Sequence, residues 1–232
     1  MSICINNKGG IGDLIKQITT ARYYYPEEEI ILRKTKKSRI NNSLKLINCF
    51  PNVIFDNNKK GRPLDKPIII KKIKTKNIEE LKSANIQEKF LISSLRCSTF
   101  GSNISKGNFL EFRNFNKNII LEMEKFLIQN SNVKVILQHE TDIEVNAWLA
   151  YNCCYSFHVD SGMPWFYNHF IKNGSCLVNW SINLVKNNPK SINYIDHHNQ
   201  LKEQGWDLIN ECCVSWKDEF AKLLESKNLL KN

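Results

Sequence analysis

Two small Rossmann-like, doubly wound α/β domains facing each other across a cleft are the architecture this sequence predicts, and three observations predict it. Apolar runs of strand length alternate with runs at helical spacing along most of the 232 residues. Twice, a strand-like run leads straight into a turn of glycine or small polar residues that opens a helix. Charge also changes character near residue 90: residues 1–90 carry 19 basic and 9 acidic side chains, whereas residues 91–232 carry 14 of each. A basic N-terminal domain is therefore expected at 1–90 and an electrically balanced one at 91–232, with a ligand at the carboxyl ends of the strands.

The elements follow in order. Ser2–Asn6 reads as a short apolar strand, and Leu14, Ile15, Ile18, Ala21 and Arg22 then repeat at helical spacing up to Tyr25, with Pro26 as a stop. Glu29–Arg33 is the next strand, Ile40–Cys49 a helix closed by Phe50-Pro51, and Asn52–Asp56 a strand. Lys66–Ile73 is expected to be another strand after the turn Lys60-Gly61-Arg62-Pro63. A weak helix near Ile78–Ala84 and a polar loop from Ser98 to Asn108 interrupt the rhythm. It resumes with strands at Lys89–Leu95, Val133–Gln138, Cys153–Val159 and Cys176–Trp180, and helices at Asn118–Asn130, Ile143–Tyr151 and Trp165–Lys172. Strands that are apolar throughout belong to parallel sheets covered on both faces. A last amphipathic helix, residues 215–230, has Ser215 and Asp218 spaced as a capping box and is able to cross back onto the first domain.

Composition excludes several classes. With 42% hydrophobic and 24% charged residues the chain is neither disordered nor coiled coil. No apolar run approaches the roughly 18 residues of a membrane span, and Met1-Ser2-Ile3-Cys4-Ile5-Asn6 lacks the features of a secretion signal, so a cytoplasmic location is expected. The eight cysteines form no C-x-x-C pair and lie mostly in apolar runs, which suits buried free thiols. His197-His198 beside Asp196 has no third ligand at matching spacing, so no metal is expected.

The excess charge, all of it in residues 1–90, leaves three readings open: a solvated face, a surface for anionic lipid or glycolipid, and a nucleic-acid footprint. Lysines outnumber arginines 27 to 6, which disfavours nucleic acid, because phosphate recognition prefers the planar arginine fork.

Two turns carry the candidate chemistry. Gly9-Gly10-Ile11-Gly12-Asp13 follows the first strand, and its glycines allow a close backbone approach while the helix amino end favours an anion. The spacing matches neither a dinucleotide fingerprint nor a P-loop. Asp13 alone reads as a helix-terminal charge. The second turn, His158-Val159-Asp160-Ser161-Gly162-Met163-Pro164, again leaves a strand and opens a helix, where a hydroxyl and a glycine cap the helix and offer backbone amides to a diphosphate. One such turn is ordinary capping; one in each domain suggests a bipartite site.

Gly9-Gly10-Ile11-Gly12-Asp13-Leu14, with its helix ending at Tyr25-Pro26, resembles the amino-terminal segment of heptosyltransferase-like enzymes, glycosyltransferase family 9. The segment Ile143–Met163, with helix, strand and Asp160-Ser161-Gly162, looks like their donor motif, and Phe100–Lys106 is similar to the linker and lysine that reach the donor phosphate. That family has proline directly after the small residues, where Met163 intervenes here. The resemblance implies a GT-B-like arrangement, a nucleotide-sugar co-substrate held by the second domain, a glycan or glycolipid acceptor held by the first, and inverting transfer without a metal or other cofactor. On that basis Asp13 is the expected general base. Asp160, Ser161, Gly162, Lys106 and His158 are expected on the donor side, and Gly9, Gly10 and Gly12 on the acceptor side. Trp165 is the tryptophan expected near a sugar or nucleotide. A transferase-like binding module without activity and a nucleic-acid-binding protein are the alternatives.

Overall fold

A computed structural model describes residues 2–7, 10–34, 45–76, 88–96, 117–138, 143–179, 192–210 and 212–231. The chain divides into two compact units. Unit one comprises Met1–Asn85, Thr141–Asn152 and Trp165–Ile171; unit two comprises Ile86–Glu140, Cys153–Pro164 and Lys172–Asn232.

Unit one is built on a parallel sheet of β1 (Ser2–Asn7), β2 (Glu29–Lys34), β3 (Val53–Phe55) and β4 (Arg62–Pro63), in the order β3-β2-β1-β4. Ile3, Cys4 and Ile5 of β1 and Ile30, Ile31 and Leu32 of β2 are all buried, as strands covered on both faces must be. The crossover helix α1 (Ile11–Tyr24) buries Leu14, Ile15, Ile18 and Ala21, four of the five residues whose spacing predicts it, while Arg22 is half-buried. A short helix α2 (Leu46–Cys49) leads to Phe50, whose ring meets Phe166, His169 and Phe170 at centroid distances of 6.5, 5.3 and 6.3 Å.

The Lys66–Ile73 segment is not a strand, contrary to the expectation; the pairing with β1 is made by Arg62–Pro63, inside the expected turn. The reason is where the amides of this apolar run find partners. Ile69 N–H donates to Thr20 Oγ1 of α1 at 2.9 Å, and Ile73 N–H donates to His169 Nδ1 at 3.3 Å. Side chains take the place of a neighbouring strand, satisfying the backbone without a ladder.

Unit two holds a five-stranded parallel sheet of β5 (Phe90–Ser94), β6 (Lys134–Leu137), β7 (Tyr155–Val159), β8 (Ser175–Val178) and β9 (Trp206–Ile209), ordered β6-β5-β7-β8-β9. Every residue of β5, β7 and β8 is buried. Between strands run α3 (Lys117–Asn130), α4 (Ile143–Asn152, counted with unit one), α5 (Gly162–Tyr167) and α6 (Ile192–Lys202). Gly174, just before β8, has φ +111°, a conformation that strains any other residue, and its Cβ position would lie a tight 3.3 Å from the Tyr155 ring.

Two expected helices need correction. The one read at Trp165–Lys172 begins earlier, at Gly162, and gives way to turns after Tyr167. The final helix, α7 (Cys212–Ser226), begins earlier than expected, breaks at Ser215 and is counted with unit two. Its Trp216, Phe220 and Leu224 join Met123 and Leu127 of α3 and Phe157 of β7 in the unit-two core, with the Phe157 and Phe220 rings 4.8 Å apart. The expectations over residues 40–44, 78–84 and 98–108 lie outside the described residues.

Candidate functional site

In unit one β1 ends at Asn7 and α1 begins at Ile11. Gly10 is the residue before the helix, with extended backbone angles of φ −78° and ψ 179°. Its N–H donates to Asp13 Oδ2 at 3.2 Å, while Leu14 N–H donates to its carbonyl at 3.2 Å. Asp13 thus lies in the first helical turn, exposed, with one carboxylate oxygen bracing the turn. Gly12 is buried beneath it. A Cβ built on Gly10 would meet nothing within 4 Å, so among the described residues the space beside this turn is open. The strand order explains why the turn matters: β2 and β4 lie on opposite sides of β1, so the winding reverses at the end of β1, the place where open α/β sheets leave a crevice.

The polar residues of α1 organise what lies next to it. Lys16, one turn beyond Asp13 and only 6% exposed, holds its ammonium 3.9 Å from the centre of the Trp165 ring. Trp165 is itself buried, so the tryptophan expected near a ligand is held against the helix that carries Asp13. Thr19 O–H donates to Ile15 O, and its oxygen lies 3.1 Å from His169 Nε2. Because His169 Nδ1 accepts from Ile73 N–H, the neutral ring carries its proton on Nε2 and donates to Thr19. Burial, with the Lys72 ammonium adding to it, pushes this imidazole down to about 3.

Unit two repeats the topology with a different count. β6 and β7 flank β5, so its winding reverses between β5 and β7. Asp160-Ser161-Gly162 leaves β7 beside that reversal. Ser161 Oγ accepts the Met163 N–H at 3.3 Å, a local turn bond that starts α5. The Asp160 side chain is buried, with Oδ2 3.4 Å from Nε2 of His198 on α6, itself buried. His158 lies two residues earlier and wholly inside: its Nε2 is 2.8 Å from Ser156 Oγ and its ring centroid 5.4 Å from that of Trp206. Burial alone pushes its imidazole down to about 3, so it is neutral at physiological pH.

The ends of the neighbouring strands are also polar. Ser94 O–H donates to Gln138 Oε1 at 2.7 Å, and Asn179 Nδ2 donates to Asn210 Oδ1 at 3.1 Å. Just past β5, Arg96 grips the buried carboxylate of Glu124 through Nε at 2.9 and 3.1 Å and through a terminal nitrogen at 2.5 Å.

Asp160, Ser161 and Gly162 are therefore together, and Gly10, Gly12 and Asp13 are together; Gly9 and Lys106 lie outside the described residues. Sequence reasoning noticed His198 only as half of a histidine pair and missed it as the partner of Asp160, and it missed Lys16 and His169 altogether. Nothing local marks them, since each acquires its role from a partner 38 to 150 residues away. Among the described residues no three His, Cys, Asp or Glu side chains form a group that would hold a metal ion. The Cys49 thiol is pushed up to about 12 and that of Cys153 higher still, chiefly by burial, which makes both poor nucleophiles. A cavity of about 430 Å³ along β9 and α7 contains none of the predicted site residues.

No protein-family model matches the chain, and no curated protein does. Two solved structures are similar to it. One is the iron-containing dodecameric glycosyltransferase TibC from enterotoxigenic E. coli H10407, with TM-score 0.43 and 9% identity over 76% of this chain and 59% of that one. The other is dodecameric iron-containing heptosyltransferase TibC in complex with ADP-D-β-D-heptose, with TM-score 0.44 and 10% identity over 76% and 58%. This chain spans less than three fifths of the length of either.

Proposed function

We propose that the chain is an inverting glycosyltransferase of the heptosyltransferase-like kind, moving a sugar from a nucleotide-sugar to a hydroxyl of a glycan or glycolipid. The observation that carries this reading is the coincidence of two reversals of winding with two strand-to-helix turns. In unit one the reversal adjoins the turn with exposed Asp13; in unit two it adjoins Asp160-Ser161-Gly162. The sequence resemblance to glycosyltransferase family 9 at those same two turns supports it.

In this reading the Asp13 carboxylate takes the proton of the acceptor hydroxyl as that oxygen attacks the anomeric carbon. The bond from the anomeric carbon to the diphosphate oxygen breaks, its electron pair stays on the leaving nucleoside diphosphate, and the configuration inverts. The backbone amides of Ser161 and Gly162, with the Lys106 ammonium, offset the charge of the leaving group, and no metal is required. Asp160, paired with His198, serves a sugar hydroxyl or the turn itself rather than the phosphates, because like charges repel. His158, buried and neutral, backs the turn. Gly9, Gly10 and Gly12 form the acceptor-side loop, Gly10 leaving room at its edge.

The test combines binding and turnover. Melting temperature is measured with ADP-, GDP-, UDP- and CMP-sugars, since a ligand of the folded state raises it. Turnover is then compared for wild type and Asp13→Asn, with an expected loss of roughly 10²- to 10⁴-fold and donor binding retained. Equal turnover in the variant removes Asp13 as base. Donor binding without any turnover makes the chain a binding module.

A further inference from the structure

On the surface of unit one, three consecutive tyrosines close α1, and an extended cationic segment runs across them. The Tyr23 and Tyr24 rings pack edge to face at 5.1 Å, and Tyr24 and Tyr25 lie 6.4 Å apart. Each ring carries its own cation on one face: Lys71 stands 4.5 Å from the centre of Tyr23, Lys66 5.8 Å from Tyr24, and the Arg62 guanidinium 4.0 Å from Tyr25. Thr20 holds the segment in place through the Ile69 amide. Tyr23 is 45% exposed, and Lys66, Lys71 and Lys74 are exposed as well.

Of the acidic groups nearby, Glu28 is taken up by Arg62 at 2.6 Å and Glu29 by Lys59 at 2.5 Å, while Asp65 accepts from the Tyr25 hydroxyl at 3.2 Å. Exposed Glu27 adds one negative charge beside the triplet. Of the six Lys or Arg side chains across residues 62–76, Arg62 is bonded to Glu28, Lys72 donates to Ile171 O at 2.8 Å and Lys76 to Ile47 O at 3.0 Å, which leaves exposed Lys66, Lys71 and Lys74 against the segment's one carboxylate, Asp65.

We infer that this tyrosine and lysine face docks on an anionic lipid bilayer. Tyrosine is suited to the headgroup layer, with an apolar ring and a hydroxyl that stays hydrated. Lysine extends an aliphatic stem along apolar surface while its ammonium reaches lipid phosphates. Single-stranded nucleic acid fits less well. It needs open ring faces on which bases stack, and each of these rings already has a cation on one face. The arginine fork that would grip a phosphate is bonded to Glu28. The inference does not depend on the transferase reading.

The test is co-sedimentation of the full chain with vesicles of phosphatidylcholine alone and of phosphatidylcholine with about one third phosphatidylglycerol, at low salt. The wild type is expected to bind only the anionic vesicles. Lys66→Glu with Lys71→Glu should lower partitioning at least tenfold, and Tyr23→Ser should lower it severalfold while leaving the salt dependence unchanged; the melting temperature of each variant is read alongside. No binding to anionic vesicles, or binding that these substitutions leave unchanged, overturns the proposal. So does a patch whose substitution abolishes binding to an oligonucleotide but not to vesicles. The assay contains no sugar donor, so its outcome is independent of turnover.

Discussion

Lowering the pH from 7 to 5 should destabilise this protein through two histidines, His169 in unit one and His158 in unit two. Both are buried and neutral, and burial pushes each imidazole down to about 3. In the unfolded chain a histidine titrates near 6.5. Because the folded value is the lower one, the unfolded state binds more protons between the two, and stability falls as pH falls below about 6.5. Linkage over that interval gives about 2 kcal/mol per histidine between pH 7 and pH 5, hence about 4 kcal/mol for both. That is a large part of the roughly 5–15 kcal/mol that keeps a typical domain folded. The assay is urea unfolding at the two pH values for wild type, His158→Gln and His169→Gln. Each variant begins less stable, since His158 contacts Ser156 and His169 bridges Thr19 and Ile73. The decisive quantity is the difference between the two pH values, which should shrink by about 2 kcal/mol in each variant. If unit one and unit two unfold separately, each variant should change only the transition of its own unit. An unchanged pH difference in both variants would refute the reasoning, because some other group would then be taking up the protons.

Two more substitutions probe the packing. Arg96→Ala should cost about 3–5 kcal/mol by stranding the buried Glu124 carboxylate, whereas Arg96→Met combined with Glu124→Leu should recover most of that; urea midpoints decide it. Gly61→Ala should cost about 1–3 kcal/mol, measured as a drop in melting temperature, because the added Cβ would sit 2.8 Å from the Ser2 carbonyl oxygen and 2.9 Å from Cys4 Sγ, forcing β4 away from β1.

Local signals in the sequence were strong wherever the physics is local. β1, its glycine turn and α1 could be read because strand, turn and helix each impose a period or a special backbone, and Leu14, Ile15, Ile18 and Ala21 do form the buried stripe of α1. The polar, histidine-containing α6 and the four-residue β9 showed no such period and went unread. Lys66–Ile73 misled because an apolar run announces burial without saying which groups will receive its amides; Thr20 and His169 do so here. Strand order, and with it the reversals beside the two turns, belongs to long-range pairing that no window of sequence contains. The same holds for the meeting of Asp160 with His198. The individual turns were therefore legible as candidates, while their setting became visible only with the fold.

The way the chain shares itself between units bears on how it is made. Unit one draws on residues up to Asn85, then on Thr141–Asn152, then on Trp165–Ile171. Phe50, translated early, waits for Phe166 and Phe170 to cover it, and Thr19 waits for His169. A nascent chain emerging from the ribosome amino end first therefore holds an unfinished first unit while the β5, β6 and β7 strands of the second are being synthesised. Its apolar surface around Phe50 is exposed for all of that time, and a chaperone that shields such surfaces would act in that interval, before residue 171 is free.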